Sequence, residues 1–257
     1  MVRKWNITIP ELTGSRERRA YLYLPESYKA DTERRYPVLY MFDGHNVFFD
    51  EDATYGKSWG MKNFMDSAGT NLIIAAVECN HDPDHGRLKE YSPYDFTEKD
   101  IGFIEGKGNI TMDWLTGSFK PFIDAHFRTL PDRKHTFIAG SSMGGLMSIY
   151  ALLHYNHVFS RAAALSPSLW IAPESAEKMI RSSRPAKDSI LYMDYGSREM
   201  GNQIGRRISF GHMATLLLSK GILLDCRLVP GGKHCEASWE RQIPFFMNTL
   251  MYGITQL

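Results

Sequence analysis

One stretch constrains the fold of this chain more than any other: Thr136-Phe137-Ile138-Ala139-Gly140-Ser141-Ser142-Met143-Gly144-Gly145-Leu146-Met147-Ser148. It opens as a short apolar run with the character of a buried strand. It then breaks into G-x-S-x-G and continues as a small-residue, apolar helix from Gly145 to about Tyr155. A strand–turn–helix of this kind predicts a nucleophile elbow, in which a sharp turn lifts the Ser142 hydroxyl clear of the backbone. Glycines flank it because side chains two before and two after the serine would collide with the neighbouring strand and helix. The helix N-terminus turns its free N–H groups towards charge that develops during acyl transfer.

A bare G-x-S-x-G arises by chance in roughly one chain in ten of this length. A second match, Gly56-Lys57-Ser58-Trp59-Gly60, is present here. Its upstream flank, Asp50-Glu51-Asp52-Ala53-Thr54-Tyr55, is too polar for a buried parallel strand. The context therefore selects Ser142 and sets Ser58 aside.

Strands alternate with helices along the rest of the chain. Lys4 to Ile9 and Arg18 to Leu24 alternate polar and apolar, as a solvent-edged antiparallel pair does. Tyr36 to Phe42, Leu72 to Val77 and Thr136 to Ala139 are continuous apolar runs, the mark of parallel strands covered on both faces. Ala162 to Leu165, Ile190 to Tyr195 and Ile222 to Val229 complete a set of about eight. Amphipathic helices are expected between them, including Trp114 to Phe127 and Gln203 to Ser219. The reading is a mostly parallel α/β sheet with helices on both faces, in a single domain over residues 1–257. Two polar segments, 80–110 and 171–185, interrupt the pattern and are expected as substrate-facing loops or a cap.

A serine nucleophile needs a base, and the base needs an acid. The chain order in this architecture is Ser, then Asp or Glu, then His. His234 stands in the Gly-rich loop Val229-Pro230-Gly231-Gly232-Lys233-His234, directly after the last strand, where an imidazole can swing over the sheet. Glu199 follows the strand Ile190 to Tyr195, in the turn Gly196-Ser197-Arg198, and is the favoured acid. Asp194 is the alternative, although it and Asp225 fall inside strand patterns. The oxyanion donors are expected from the backbone amides of Met143 and of His45, the latter in the loop Asp43-Gly44-His45-Asn46.

These residues resemble the esterase D-like "putative esterase" branch of the α/β hydrolases, which includes feruloyl and acetylxylan esterases, S-formylglutathione hydrolases and siderophore esterases. The likeness rests on Arg19-Ala20-Tyr21-Leu22-Tyr23-Leu24-Pro25, Tyr36-Pro37-Val38-Leu39-Tyr40-Met41-Phe42-Asp43-Gly44, Arg87-Leu88-Lys89-Glu90-Tyr91-Ser92-Pro93, the elbow, and Leu165-Ser166-Pro167-Ser168-Leu169-Trp170. It implies an α/β-hydrolase fold and a triad carried by Ser142, Glu199 and His234, with oxyanion amides at His45 and Met143. The chain departs from many relatives in having Glu rather than Asp in the acid turn. The activity implied is serine-esterase hydrolysis of carboxylic esters with short acyl or aryl groups, carbohydrate esters among them. The alternatives are an acyltransferase with the same triad and a non-catalytic binding protein on the same fold.

Trp59, Tyr91, Trp170 and Trp239 stand in segments expected near the cleft and are candidate substrate-lining residues. Arg87 is expected to pair with Glu90 in its own loop, and the mixed run Arg16-Glu17-Arg18-Arg19 to be a solvated loop.

Other chemistries fit less well. Formal net charge is +1, which provides no field for gathering nucleic acid or an acidic membrane. No apolar run reaches membrane-spanning length. His81 and His85 are four apart, but Pro83 between them denies the helix that would put both on one face. Cys79, Cys226 and Cys235 show no C-x-x-C spacing, so no disulfide framework or zinc knuckle is indicated. No cofactor or metal is expected, and the partner is a small-molecule ester. The first residues lack a signal-peptide core, giving a cytoplasmic expectation.

Overall fold

A computed structural model describes residues 1–201 and 203–254. Its strands are β1 (Val2–Thr8), β2 (Glu17–Tyr23), β3 (Val38–Met41), β4 (Ile73–Val77), β5 (Phe96–Glu98), β6 (Gly102–Ile104), β7 (Thr136–Ser141), β8 (Arg161–Leu165), β9 (Ile190–Gly196) and β10 (Leu223–Val229). Eight of them form one sheet in the order β1-β2-β4-β3-β7-β8-β9-β10, while β5 and β6 make a separate hairpin. β1–β2 and β2–β4 pair antiparallel, and every other pairing in the large sheet is parallel. The expected strands are all present, with ends shifted by one or two residues.

Period-two alternation divides the apolar residues between two faces. From β3, Val38 and Tyr40 enter one core layer and Leu39 and Met41 the other. The helix Met143–His154 covers the first face with Leu146, Met147, Ile149 and Leu152, joined by Phe210, Met213 and Leu217 of the helix Ile204–Leu218. The second face is closed by Met61 and Met65 of the helix Met61–Ala68 and by Ile243, Phe246, Met247 and Leu250 of the helix Ile243–Met251. Both faces of β7 and β8 are therefore buried, which explains the apolar runs Phe137–Ala139 and Ala162–Leu165 within them.

Two expectations about charge are corrected. The run Arg16–Arg19 is not a solvated loop, because β2 starts at Glu17 and turns Arg18 inward. There the Arg18 guanidinium meets both carboxylate oxygens of Glu90 at 2.7 Å, with both side chains buried. Glu90 is thus taken, and Arg87 pairs with Asp43 instead. A strand's alternation decides which of two adjacent arginines is buried, and the partner lies 72 residues away.

Segment 171–185 is also corrected. It holds the amphipathic helix Pro173–Ser182, which buries Ala176, Met179 and Ile180 and packs against the helix Ile204–Leu218. None of its residues lines the cleft described below. In segment 80–110, only 80–83 and 85–88 reach that cleft. No helix among the described residues is long and apolar enough to cross a membrane.

Candidate active site

β7 ends in the turn that carries Ser142, whose backbone sits at φ 58° and ψ −119°. Few non-glycine residues adopt this conformation, and it is retained because the surroundings over-determine it. The Ser142 amide donates to Leu165 O at 2.9 Å, and its carbonyl accepts from Leu146 N and Ser168 N at 3.0 Å each. A Cβ at Gly140 would stand 2.7 Å from the Gly144 carbonyl carbon and oxygen, so the turn closes only with glycine there. The Met143 amide opens the helix and finds no protein acceptor among the described residues, as a first-turn N–H is free to do.

The loop after β3 makes one tight turn over Gly44–Asn46. A Cβ on Gly44 would come within 2.8 Å of Val77 N, so glycine lets this turn lie against the end of β4. The His45 amide likewise has no protein acceptor among the described residues. Asp43, beneath it, takes two hydrogen bonds of 2.7 Å from Arg87, and its amide donates to Tyr91 Oη at 3.1 Å. Burial pushes the Asp43 carboxyl up, but the Arg87 guanidinium outweighs that and holds it below the usual carboxylate range.

Glu199 and His234 come from the turns after β9 and β10, the two strands at one edge of the sheet. Those turns are laced together: Arg198 N donates to Gly232 O at 2.9 Å, Ser197 N to Val229 O at 2.9 Å, and Gly231 N to Ser197 Oγ at 2.9 Å. Glu199 is buried, with Oε2 3.0 Å from His234 Nδ1. Its other oxygen accepts from Gly196 N at 2.8 Å and from the Ser166 hydroxyl. Ser166 Oγ in turn accepts from Trp239 Nε1 at 2.9 Å. Asp194 points elsewhere, accepting from Tyr192 Oη at 2.9 Å and from the Ser166 amide at 3.1 Å. Burial pushes its pKa up to about 7.

Ser142, His234, His45 and Trp239 line one cleft of about 550 Å³, together with Asp43, Arg87 and residues of the loop after β4. In the structure the Ser142 hydroxyl is 3.2 Å from Ser168 Oγ, and no hydrogen bond joins it to His234. Of the four aromatic candidates, only Trp239 lines the cleft. Trp59 is buried against Trp239 and Phe246, in the second core layer. Tyr91 is buried edge-on to Phe42 beneath Asp43. Trp170 lies under the Arg206 guanidinium, 4.0 Å from the ring centre, and outside the cleft lining. Loop position does not put these three in the cleft: Trp59 and Tyr91 are used for packing, and Trp170 for the contact with Arg206. Ser58 is buried too, its hydroxyl 2.7 Å from Asp50 Oδ1.

Ser166 and Ser168 belong to the run that carries the family resemblance, but the sequence assigns neither a role. Both stand in the loop after β8, beside the elbow, and a serine following an apolar strand carries no signal of its own. His81 and Cys79 also face the cleft and meet His45 there.

The chain and its fold have counterparts among known proteins. The chain is 27% identical over 184 residues to the uncharacterized protein YbbA of Bacillus subtilis (strain 168), covering 71% of this chain and 69% of YbbA. It is 30% identical over 149 residues to Esterase Rv1288 of Mycobacterium tuberculosis (strain H37Rv), covering 56% of this chain but only 28% of that longer protein. Among solved structures, an IroE-like serine hydrolase from Shewanella oneidensis superposes with a TM-score of 0.76 at 18% identity, over 98% of this chain and 79% of that one. That likeness establishes the fold as α/β hydrolase. The model of the family described as "Putative esterase" matches residues 13–244, so the chain belongs to this family of the α/β hydrolases, whose chemistry is carboxylic ester hydrolysis.

Proposed function

We propose that the chain is a serine esterase in which Ser142 is the nucleophile, His234 the general base and Glu199 the acid that orients it. The observation that carries this reading is the 3.0 Å approach of Glu199 Oε2 to His234 Nδ1, behind a cleft that also contains Ser142. With Nδ1 engaged by the carboxylate, Nε2 is left to take the Ser142 proton. The Ser142 hydroxyl turns from Ser168 towards His234 in this reading, and such contacts are often loose without substrate. The hydroxyl then attacks the ester carbonyl, and the tetrahedral oxyanion lies on the free amides of His45 and Met143. His234 protonates the departing alcohol, and a water repeats the cycle to release the acid.

A cleft of about 550 Å³, with Trp239 at its wall, suits a small ester with a short acyl or aryl group. Its polar rim (Asn46, Thr54, Asn80 and Asp82) suits a hydroxylated alcohol such as a sugar. The test is to treat the protein with a fluorophosphonate probe, map the label by peptide mass spectrometry, and run a p-nitrophenyl ester chain-length series. Label on Ser142 with preference for short chains is the expected result. Folded protein that takes no label would favour a binding protein on this fold. A rate that rises with added alcohol, with matching ester product, would favour an acyltransferase.

A further inference from the structure

Cys79 and His81 follow β4, His45 follows β3, and the two loops meet at the cleft. One ring nitrogen of each histidine and Cys79 Sγ all lie within 4.8 Å of one another. The two imidazoles stand edge to face, centres 4.8 Å apart. Pro83 keeps His85 from joining His81 on a helix, but His81 needs no helix to reach His45. The pairing comes from parallel neighbours β3 and β4, whose carboxyl ends put their following loops side by side.

A second feature points to a ligand. His45 is 4% exposed, and its Nδ1 is buried with no hydrogen-bond partner, while Nε2 lies 3.0 Å from Thr54 Oγ1. Buried polar atoms are nearly always satisfied, so an unpartnered nitrogen on an imidazole that stands beside Cys79 and His81 calls for a partner. With Nδ1 on a metal, Nε2–H donates to Thr54 and orients the ring.

From this juxtaposition we infer that His45, Cys79 and His81 form a site for a borderline-soft divalent cation of the Zn²⁺ class, set in the wall of the cleft. A thiolate with two imidazoles selects against Ca²⁺ and Mg²⁺, which take oxygen ligands. Tetrahedral Zn²⁺ spaces its N and S ligands about 3.3–3.8 Å apart, so the group must contract by about 1 Å. The exposed His81 side chain, on the loop after β4, provides that movement. The nearby Asp43 is held by Arg87 and is not a ligand. On binding, the Cys79 S–H bond breaks, the proton passes to solvent, and the sulfur pair forms the metal bond. Three protein ligands leave a fourth position open for water or another small donor.

The site shares the cleft with the proposed triad but none of the triad's side chains, and its test does not depend on catalysis. The whole chain, stripped of metal, is titrated with Co²⁺ and then with Zn²⁺ as competitor. We expect one Co²⁺ per chain, with a thiolate-to-cobalt charge-transfer band that Zn²⁺ removes. Cys79→Ser should abolish the band, and His81→Ala, at an exposed position, should weaken binding at least about tenfold. The double variant Cys226→Ser/Cys235→Ser should keep both band and affinity. Circular dichroism establishes that each variant is folded. The proposal is overturned by a folded wild-type chain without the band, by a band that survives Cys79→Ser, by a band lost in the double variant, or by unchanged affinity in His81→Ala.

Discussion

Glu199 Oε2 stands 3.0 Å from His234 Nδ1, across 35 residues of chain. The contact exists because the turns after β9 and β10 are bonded to each other through Ser197, Arg198 and Gly232. Asp194, inside β9 and two residues before its end, faces Tyr192 and the Ser166 amide. Glu199→Gln should therefore lower kcat/KM by about three to four decades, as losing the acid of such a triad does. Asp194→Asn should cost at least ten times less. Steady-state rates on p-nitrophenyl acetate decide it, and the opposite ranking would move the acid to Asp194.

Ser166 connects two parts of the site, donating to Glu199 Oε1 and accepting from Trp239 Nε1. Ser166→Ala leaves the carboxylate with one fewer donor and the indole N–H without a partner. Such a loss costs about 1–3 kcal/mol of stability in a buried network. We expect a lower melting temperature and a kcat reduced about tenfold to a hundredfold with KM little changed, because the serine acts through Glu199 and not on substrate. A variant with wild-type kcat would reduce Ser166 to a packing residue.

How much of this was legible beforehand depends on range. The elbow, the Gly-rich loop before His234 and the turn holding Glu199 are local patterns, and their backbone demands are written within a few residues. The fates of Trp59, Tyr91 and Trp170 depend on what packs over them from elsewhere in the chain. The Arg18–Glu90 pair is set by strand alternation and a partner far along the sequence. Ser166 and Ser168 become visible only when the loop after β8 is laid against the elbow. Similarly, the meeting of His45 with Cys79 and His81 follows from β3 and β4 being parallel neighbours, which no single segment records.

The backbone strain at Ser142 makes a separate expectation. At φ 58° and ψ −119° a side chain is unfavourable by roughly 1–3 kcal/mol, and only glycine is at ease. Ser142→Ala keeps that strain, whereas Ser142→Gly removes it at some entropic cost to folding. Both variants should lose esterase turnover. The glycine variant should melt a few degrees higher than the alanine variant, the shift expected of about 1 kcal/mol in a domain of this size. Equal melting temperatures would mean the turn is not strained in solution.

Asp194 sets a pH dependence of stability whose sign follows from its surroundings. Burial raises its pKa from an ordinary 3.8 to about 7, against the opposing hydrogen bonds from Tyr192 and the Ser166 amide. The native state therefore holds this proton more tightly than the unfolded chain does. Below about pH 4 both states are protonated, and the stabilising contribution is fully present. Between there and about pH 7 the unfolded chain loses its proton first, so stability falls as pH rises. Glu90, pushed up to about 7 by burial despite Arg18, acts in the same direction. Stability should thus decline from pH 5 to pH 8 by an amount of order a few kcal/mol at most, and the melting temperature with it. Asp194→Asn cannot titrate, so its curve should be flatter than wild type over that interval, with Glu90 and Glu236, both raised by burial, contributing to the remaining slope. A variant as pH-sensitive as wild type would mean that Asp194 is already ionised in the native protein, with Tyr192 and the Ser166 amide sufficient to hold the charge.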